Sequence, residues 1–386
     1  MIDITQLLKA SDNEATSIRY SKKCKNATHG VSEHMGPVVA WNITQSCNLK
    51  CQHCYSSAVS SSKNELSLEQ IKETIDQLAA LKVPVILLSG GEPFMHPHLI
   101  DIITYIRDKG IRVSLSTNGT LITHDVAKQM KELGVSYIGI SLDGLEALND
   151  SFRGVSGAYA KSLKGIENCR AVGQKVGLRM TIHKENIHQV PSILELMEKE
   201  DIHRICFYHL VPSGRGEGIK DMMLTDEQAR TFMDRISAYA LDAQTKGIDK
   251  EVLTVTNHTD GPYLYLKQKE KDPEQAVLLY EKLSRNKGNR SGIAIMNIDW
   301  NGNVFPDQFS RFMPLGNVLE ASLEDIWIKG NDALNALRNK RDYLPDKCQT
   351  CRWIDICGGN LRARAYSVTG DLWGEDPGCY LKEDER

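Results

Sequence analysis

The sequence predicts an α/β protein in which a parallel sheet, wound into a full or partial barrel, is followed by a smaller α+β region. Two observations carry the first half: apolar strand-like runs alternate with helix-period segments at roughly 25-residue spacing, and short polar or glycine-containing motifs follow those runs. In such folds the chemistry sits at the carboxyl ends of the strands. The third observation is that the rhythm stops near residue 250, which is where the boundary between the two regions is expected.

Residues 1 to 36 are polar and weakly periodic apart from Ile4-Thr5-Gln6-Leu7-Leu8. They are expected to form an extension that lies across the core or caps a site. From Pro37 the pattern is regular. Val38-Val39-Ala40-Trp41 reads as a buried strand, and Ser67-Leu68-Glu69-Gln70 has the form of a capping box with Leu66 and Ile71 as a hydrophobic staple, opening a helix to about Leu81. Val85 to Leu88 is the second strand, with a helix from about Leu99 to Lys109 ended by Gly110. Strands at Val113 to Leu115, Tyr137 to Ile140, Leu178 to Ile182 and Ile205 to Tyr208 continue the series. The helices between them lie at about His124 to Leu133, Tyr159 to Ala171 and Val190 to Glu198. This gives six strands over residues 37–250, with a final helix from Thr225 to about Lys246. In residues 251–386 the rhythm gives way to short polar-aromatic motifs, and Asn301-Gly302 marks a hairpin.

Composition narrows the class. At 386 residues the chain is long enough for one barrel-sized domain and a smaller one, and 41% hydrophobic with 25% charged residues is ordinary for a globular protein. A formal net charge of −3 provides no basic field for nucleic acid. There is no apolar run of about 18 residues to cross a bilayer, and Met1 to Thr5 lacks the basic-then-apolar order of a signal peptide, so a cytoplasmic location is expected.

Ten cysteines in a reducing compartment read first as metal ligands or catalytic thiols. Three of them, Cys47, Cys51 and Cys54, follow the first strand in a C-x3-C-x2-C pattern. That is one thiolate short of a closed zinc site or a fully protein-ligated 4Fe-4S cluster, so one iron would stay open for a small molecule to chelate. The second group is Cys348, Cys351, Cys357 and Cys379. Four thiols close either a zinc site or a cubane, and chemistry alone divides the two evenly. Cys24, Cys169 and Cys206 are expected to be incidental, although Cys24 lies among Lys22, Lys23 and Lys25.

Other motifs occupy strand ends. Ser89-Gly90-Gly91-Glu92-Pro93 combines two glycines, which allow close backbone approach, with a carboxylate. Ser116-Thr117-Asn118-Gly119 and Ser141-Leu142-Asp143-Gly144 offer short polar side chains but also read as ordinary βα turns. Arg179 suits a bidentate grip on a carboxylate or a buried ion pair.

The cysteine loop together with Gly90 to Pro93 resembles the radical SAM superfamily, in which S-adenosylmethionine (SAM) binds the open iron through its amine and carboxylate. The C-terminal cysteines resemble the superfamily's SPASM/twitch extensions, which favours a 4Fe-4S cluster over zinc at the second site. The resemblance implies a partial (β/α)6 barrel with an auxiliary cluster domain. It also implies SAM contacts by His53, Tyr55, Gly90, Gly91, Glu92, Pro93, Ser116, Asn118, Ser141, Asp143, Arg179 and Thr181, with His53 near the adenine. Further stretches (His209 to Gly216, Asn257 to Tyr263, Pro306 to Gln308, Cys357 to Ala365 and Gly370 to Tyr380) resemble the tetrapyrrole-modifying branch.

That branch acts on 12,18-didecarboxysirohaem. One activity removes the C2 and C7 acetates to leave methyl groups and gives Fe-coproporphyrin III; another removes propionates on the way to haem d1. The Lys- and Ser-rich stretch Ser56 to Lys63 favours the first. The resemblance further implies reductive SAM cleavage to a 5′-deoxyadenosyl radical, with electrons from a donor such as flavodoxin or ferredoxin. Arg215, His258, Arg290, Arg311, Arg362 and Arg364 are candidates for holding a polycarboxylate macrocycle. Two competing readings remain: a peptide-modifying SPASM enzyme, disfavoured by only four C-terminal cysteines and a short leading segment, and a non-enzymatic metal scaffold, disfavoured by the Gly90 to Pro93 motif.

Overall fold

The computed structural model describes residues 1–9, 20 and 27–386, so Cys24 lies outside the described residues. An eleven-stranded sheet organises them. Its strands are β1 (Ile2–Asp3), β2 (Val38–Asn42), β3 (Val85–Ser89), β4 (Arg112–Thr117), β5 (Tyr137–Ser141), β6 (Val176–Ile182), β7 (Arg204–His209), β8 (Glu251–Val255), β9 (Ile295–Ile298), β10 (Asn303–Phe305) and β11 (Gly316–Asn317). Their order is β1-β8-β7-β6-β5-β4-β3-β2-β9-β10-β11. β2 to β8 pair in parallel, each with the next, and are joined by helical crossovers. The six strands read from the sequence are β2 to β7.

The helices form where the periodicity places them. Helix Leu68–Ala80 opens with the Ser67–Gln70 capping box, each side chain bonding the other residue's backbone N–H. It buries Ile71, Ile75 and Leu78 against the sheet, each worth roughly 2 kcal/mol of apolar burial. Helices Leu99–Asp108, His124–Glu132, Ala158–Ala171, Val190–Lys199 and Asp226–Thr245 repeat this arrangement.

Three features go beyond the sequence reading. The sheet does not stop at residue 250: β8 continues the parallel series, and β9 pairs in parallel with β2 on the other side. The leading residues join this sheet, because β1 pairs antiparallel with β8 and helix Ile4–Leu8 buries Ile4, Leu7 and Leu8 beside it. Residues Asp260–Lys271 and Pro273–Asn286 form two helices, with Asp272 capping the second and Pro273 at its first position. The Asn301-Gly302 hairpin joins β9 to β10, with Gly302 at a φ of +84°.

Candidate active site

The loop after β2 carries the three cysteines and is fastened from several sides. Gly91 N–H donates to Thr44 O (2.7 Å) and Glu92 N–H to Ser46 O (2.8 Å), while Cys47 N–H donates to Val59 O (2.7 Å). Lys50 and Gln52 donate to the carbonyls of Arg153 and Phe152 at the end of helix Glu146–Arg153. The glycines are required by this packing: a Cβ on Gly90 would stand 2.5 Å from Thr44 O, and one on Gly91 2.3 Å from Ser46 O. Close approach at this motif is therefore, in the first place, an approach of the cysteine loop itself.

Each sulfur accepts from at least one donor, and Cys54 Sγ also lies 3.3 Å from the Ser56 hydroxyl. Leu49 N–H reaches Cys47 Sγ (3.4 Å), Ala58 N–H reaches Cys54 Sγ (3.4 Å) and Arg153 Nη1 reaches Cys51 Sγ (3.8 Å). Burial pushes the Cys47 thiol up to about 12, and raises Cys51 as well although Arg153 opposes the rise. Losing these protons becomes favourable when a cation takes their place.

A cleft at the carboxyl ends of the strands encloses about 1100 Å³ of space not filled by protein, counting its open mouth. Its walls bring together Cys47, Cys51, Cys54, His53, Tyr55, Gly90, Gly91, Ser116, Asn118, Ser141, Arg179, Thr181 and Arg215. Most of the expected SAM-contacting residues therefore share one wall.

Glu92, Pro93 and Asp143 do not line the cleft. Glu92 is fully buried, and its carboxylate accepts from Thr117 Oγ1 (2.6 Å), Asn118 N–H (2.8 Å) and Phe94 N–H (3.3 Å). Burial still raises it to about 7. It ties the turn after β3 to the end of β4. Asp143 is fully buried, pairs with Arg153 Nη2 (2.6 Å) and accepts from Thr181 N–H (2.8 Å). His53 lines the cleft and is packed on its other side by the protein. One face stacks on Phe152 at 4.7 Å, Nε2 lies 3.5 Å from Asp143, and burial lowers its pKa to about 4. Asn118 spends its amide on Asn48 of the cysteine loop (2.8 Å). Arg179 lies across Tyr208 at 4.9 Å from the ring centroid and donates to its hydroxyl, in space left by Gly139 on β5.

The residues expected to hold a substrate have internal partners. Arg215 lines the cleft but its guanidinium donates to the carbonyls of Cys51 and Ala58. Arg290 donates to Gly30 O, and Arg311 pairs with Asp299 (3.0 Å) over Trp300. Arg362 donates to Gly374 O (2.7 Å), and Arg364 forms a two-pronged pair with Asp376 (2.7 and 2.9 Å) at 1% exposure. His258 is buried beside the Met1 amino group. The five arginines are held by carbonyls and carboxylates of the fold, which is where the two buried ones, Arg362 and Arg364, must find partners.

Residues given no site role in the sequence reading also reach the cleft: Thr117, Arg153, Tyr208, His209, Gln308 and Phe309. His209, at the end of β7, directs Nε2 to Asp260 (3.1 Å), and Asp260 also accepts from Tyr380 (2.6 Å). Burial alone would raise Asp260, but His209 and Tyr380 hold it below the ordinary carboxylate range.

The second group of cysteines gathers in irregular backbone. Cys348 sits on helix Asp346–Gln349, Cys357 ends helix Ile354–Cys357, and Cys379 follows the Asp376 turn. Cys379 lies near enough to Cys348, Cys351 and Cys357 to oppose the ionisation of all three.

Comparison with known proteins decides the family. The family model described as the radical SAM superfamily matches residues 41–197, and an iron-sulfur cluster-binding SPASM model matches residues 291–352. The chain is 46% identical to the Fe-coproporphyrin III synthase of Methanosarcina barkeri, over all of this chain and 98% of that protein. The chain belongs to the radical SAM superfamily. It is also 39% identical to the pre-heme d1 synthase of Dinoroseobacter shibae, over 90% of this chain and 87% of the other. Among solved structures, Streptococcus suis SuiB bound to S-adenosylmethionine superposes with a TM-score of 0.70, covering 90% of this chain and 78% of that one at 18% identity, a likeness of fold.

This radical SAM enzyme thus has sites for a SAM-ligating cluster and an auxiliary iron-sulfur cluster, and the residues fit both. Three thiols and the backbone of Gly90 and Gly91 face one cleft, and four thiols form the second group. Among the described residues no three His, Cys, Asp or Glu side chains converge as on a single metal ion. A cubane asks less, since each of its thiolates binds a different iron.

Proposed function

We propose that this enzyme removes the two acetate side chains of 12,18-didecarboxysirohaem, leaving methyl groups, to give Fe-coproporphyrin III. The observation that carries the reading is the 46% identity to a protein of that name across the full length of both chains. Pre-heme d1 synthase, the relative behind the alternative of propionate removal, is matched at 39% and over less of either chain.

Once a hydrogen atom has been taken from the side chain, each acetate conversion is balanced as R–CH•–COO⁻ + e⁻ + 2 H⁺ giving R–CH3 + CO2, so the site must hold a carboxylate and deliver protons, with the electron coming from the flavodoxin or ferredoxin donor. The bound cluster and SAM would supply a carbon radical able to take a hydrogen atom from the substrate side chain. Cys47, Cys51 and Cys54 would hold that cluster, and the Gly90–Gly91 backbone with Ser116, Ser141 and Thr181 would seat SAM beside it. Arg179, fixed by Tyr208, presents a guanidinium to a carboxylate in the cleft. His209, in the wall of the same cleft, is the residue to which we assign proton delivery. Asp260 orients it by taking Nε2. Phe309, Leu210 and Val211 line the same cleft and exclude water from the reacting carbon.

Among the described residues no helix is long and apolar enough to cross a membrane, and all nine described cysteines are free thiols. Both observations suit an enzyme of the reducing cytoplasm, supplied with electrons by a flavodoxin or ferredoxin. The test is anaerobic incubation of the reconstituted protein with SAM, a reductant and 12,18-didecarboxysirohaem, with the tetrapyrrole followed by mass. Loss of two CO2 is expected. Loss of propionate-derived mass would move the enzyme to haem d1 formation, and an unchanged tetrapyrrole alongside SAM cleavage would refute the substrate.

A further inference from the structure

The three sulfurs of the cysteine loop are not equivalent. Cys47 and Cys54 have neutral partners, a backbone N–H group each and, at Cys54, the Ser56 hydroxyl (3.3 Å), whereas Cys51 accepts from a guanidinium. Arg153 is only 5% exposed and is fixed at both ends. Nη1 stands 3.8 Å from Cys51 Sγ and Nη2 2.6 Å from Asp143 Oδ2, while its own carbonyl accepts Lys50 N–H from the cysteine loop (3.0 Å). Asp143 is tied behind it by Thr181 N–H, with His53 at 3.5 Å. Arg153 and Asp143 therefore form a buried, oriented dipole whose positive end touches a cluster ligand and whose negative end is held away.

We propose that Arg153 is a positioning residue that sets the reduction potential of the SAM-ligating cluster, raising it through the charged hydrogen bond to Cys51. Adding an electron to a thiolate-ligated cluster increases the negative charge on its sulfurs, and cluster potentials follow the hydrogen bonds those sulfurs receive. A buried guanidinium stabilises the reduced state more than a backbone N–H does, and salt in the solvent screens it little. The auxiliary cluster's cysteines, Cys348, Cys351, Cys357 and Cys379, have no part in this contact, so the effect should be confined to one cluster.

The experiment is a redox titration of the full, anaerobically reconstituted protein followed by electron paramagnetic resonance. The SAM-ligating cluster is recognised by the change in its spectrum when SAM is added. Arg153→Gln should shift its midpoint to more negative potential and leave the auxiliary cluster's midpoint in place. Arg153→Lys, which keeps the charge but not the fork, should shift it in the same direction by less. A purely structural arginine would lower iron content without moving the midpoint of the clusters that form. An unchanged midpoint in Arg153→Gln at full cluster content, or equal shifts of both clusters, would overturn the proposal. If Arg153→Gln fails to load the cluster, Arg153→Lys decides by the same criterion.

Discussion

The two cysteine sites of this chain are held in different ways. The first three thiols lie within eight residues of sequence, on a loop pinned between the Gly90–Gly91 turn and the end of helix Glu146–Arg153. The second four span residues 348–379, on short helical turns fastened by the buried Arg364–Asp376 pair. One site is a local loop clamped by the sheet, open to a cleft and short of one ligand; the other is assembled from distant segments and has its full complement of thiols. An open iron suits chemistry, whereas four protein ligands suit electron transfer. Local spacing is enough to specify the first arrangement, while the second depends on tertiary structure.

The largest expected effect separates the roles of the two sites. Cys51→Ala should reduce 5′-deoxyadenosine formation to background, whereas Cys357→Ala should retain uncoupled SAM cleavage while losing tetrapyrrole product. Chromatography of 5′-deoxyadenosine beside mass analysis of the tetrapyrrole checks both; cleavage surviving in Cys51→Ala would break the assignment. The next effect tests how the second site is assembled. Asp376→Asn leaves the Arg364 guanidinium buried without its counter-ion, which should cost about 3 to 5 kcal/mol in denaturant unfolding and empty the auxiliary cluster first. If the pair merely decorates the turn, stability and auxiliary iron will both be unchanged.

A smaller effect is expected at the clamp of the first site. The Cβ of Gly91→Ala would need to displace Ser46 O from 2.3 Å, so the cysteine loop must shift, at a cost of about 1 to 3 kcal/mol. Iron analysis should then find the SAM-ligating cluster depleted and the auxiliary cluster intact. Equal depletion of both would argue against a local clamp.

The difference between the sites also explains what the sequence could reveal. Strands β2 to β7 and their helices were legible because period and capping are local, and the Cys47 to Cys54 loop and Gly90-Gly91 because their spacing is. Partnerships were not. Nothing in the order of residues says that Arg153 chooses Cys51, 102 positions away, or that Asp143 turns inward to Arg153 instead of facing a ribose. The arginines at 290, 311, 362 and 364 read as available cations because a sequence records charge but not burial; the fold spends them on its own carbonyls and carboxylates. The helices over residues 260–286 were missed although Asp272-Pro273 is a readable start signal, because the polar motif preceding it drew the reading toward loop. His209 lies inside a motif that was noticed, but its role needs Asp260 and Tyr380 beside it, which only the folded chain supplies.

The last comparison concerns the tie between the two halves, and it is the mildest. Glu385 accepts both prongs of Arg230, on helix Asp226–Thr245, at 2.8 and 2.7 Å, while its backbone carbonyl accepts from Trp353 Nε1 beside the auxiliary cysteines. The hydrogen bonds from Arg230 bring the Glu385 carboxyl down to about 2 from an ordinary value of 4.5, against the opposing pull of burial. A carboxyl whose folded pKa is depressed contributes stability above its unfolded pKa and loses it as pH falls through the folded one. The contribution should therefore be whole above pH 4.5 and decline between 4.5 and 2. The pair is about one-fifth exposed on each side, so solvent screening limits it to about 1 kcal/mol. Glu385→Gln should lower unfolding stability by that amount at pH 7 and flatten the loss seen in wild type between pH 4.5 and 2. Parallel pH profiles for the two proteins would mean that Arg230 and Glu385 do not couple the second half of the chain to the barrel.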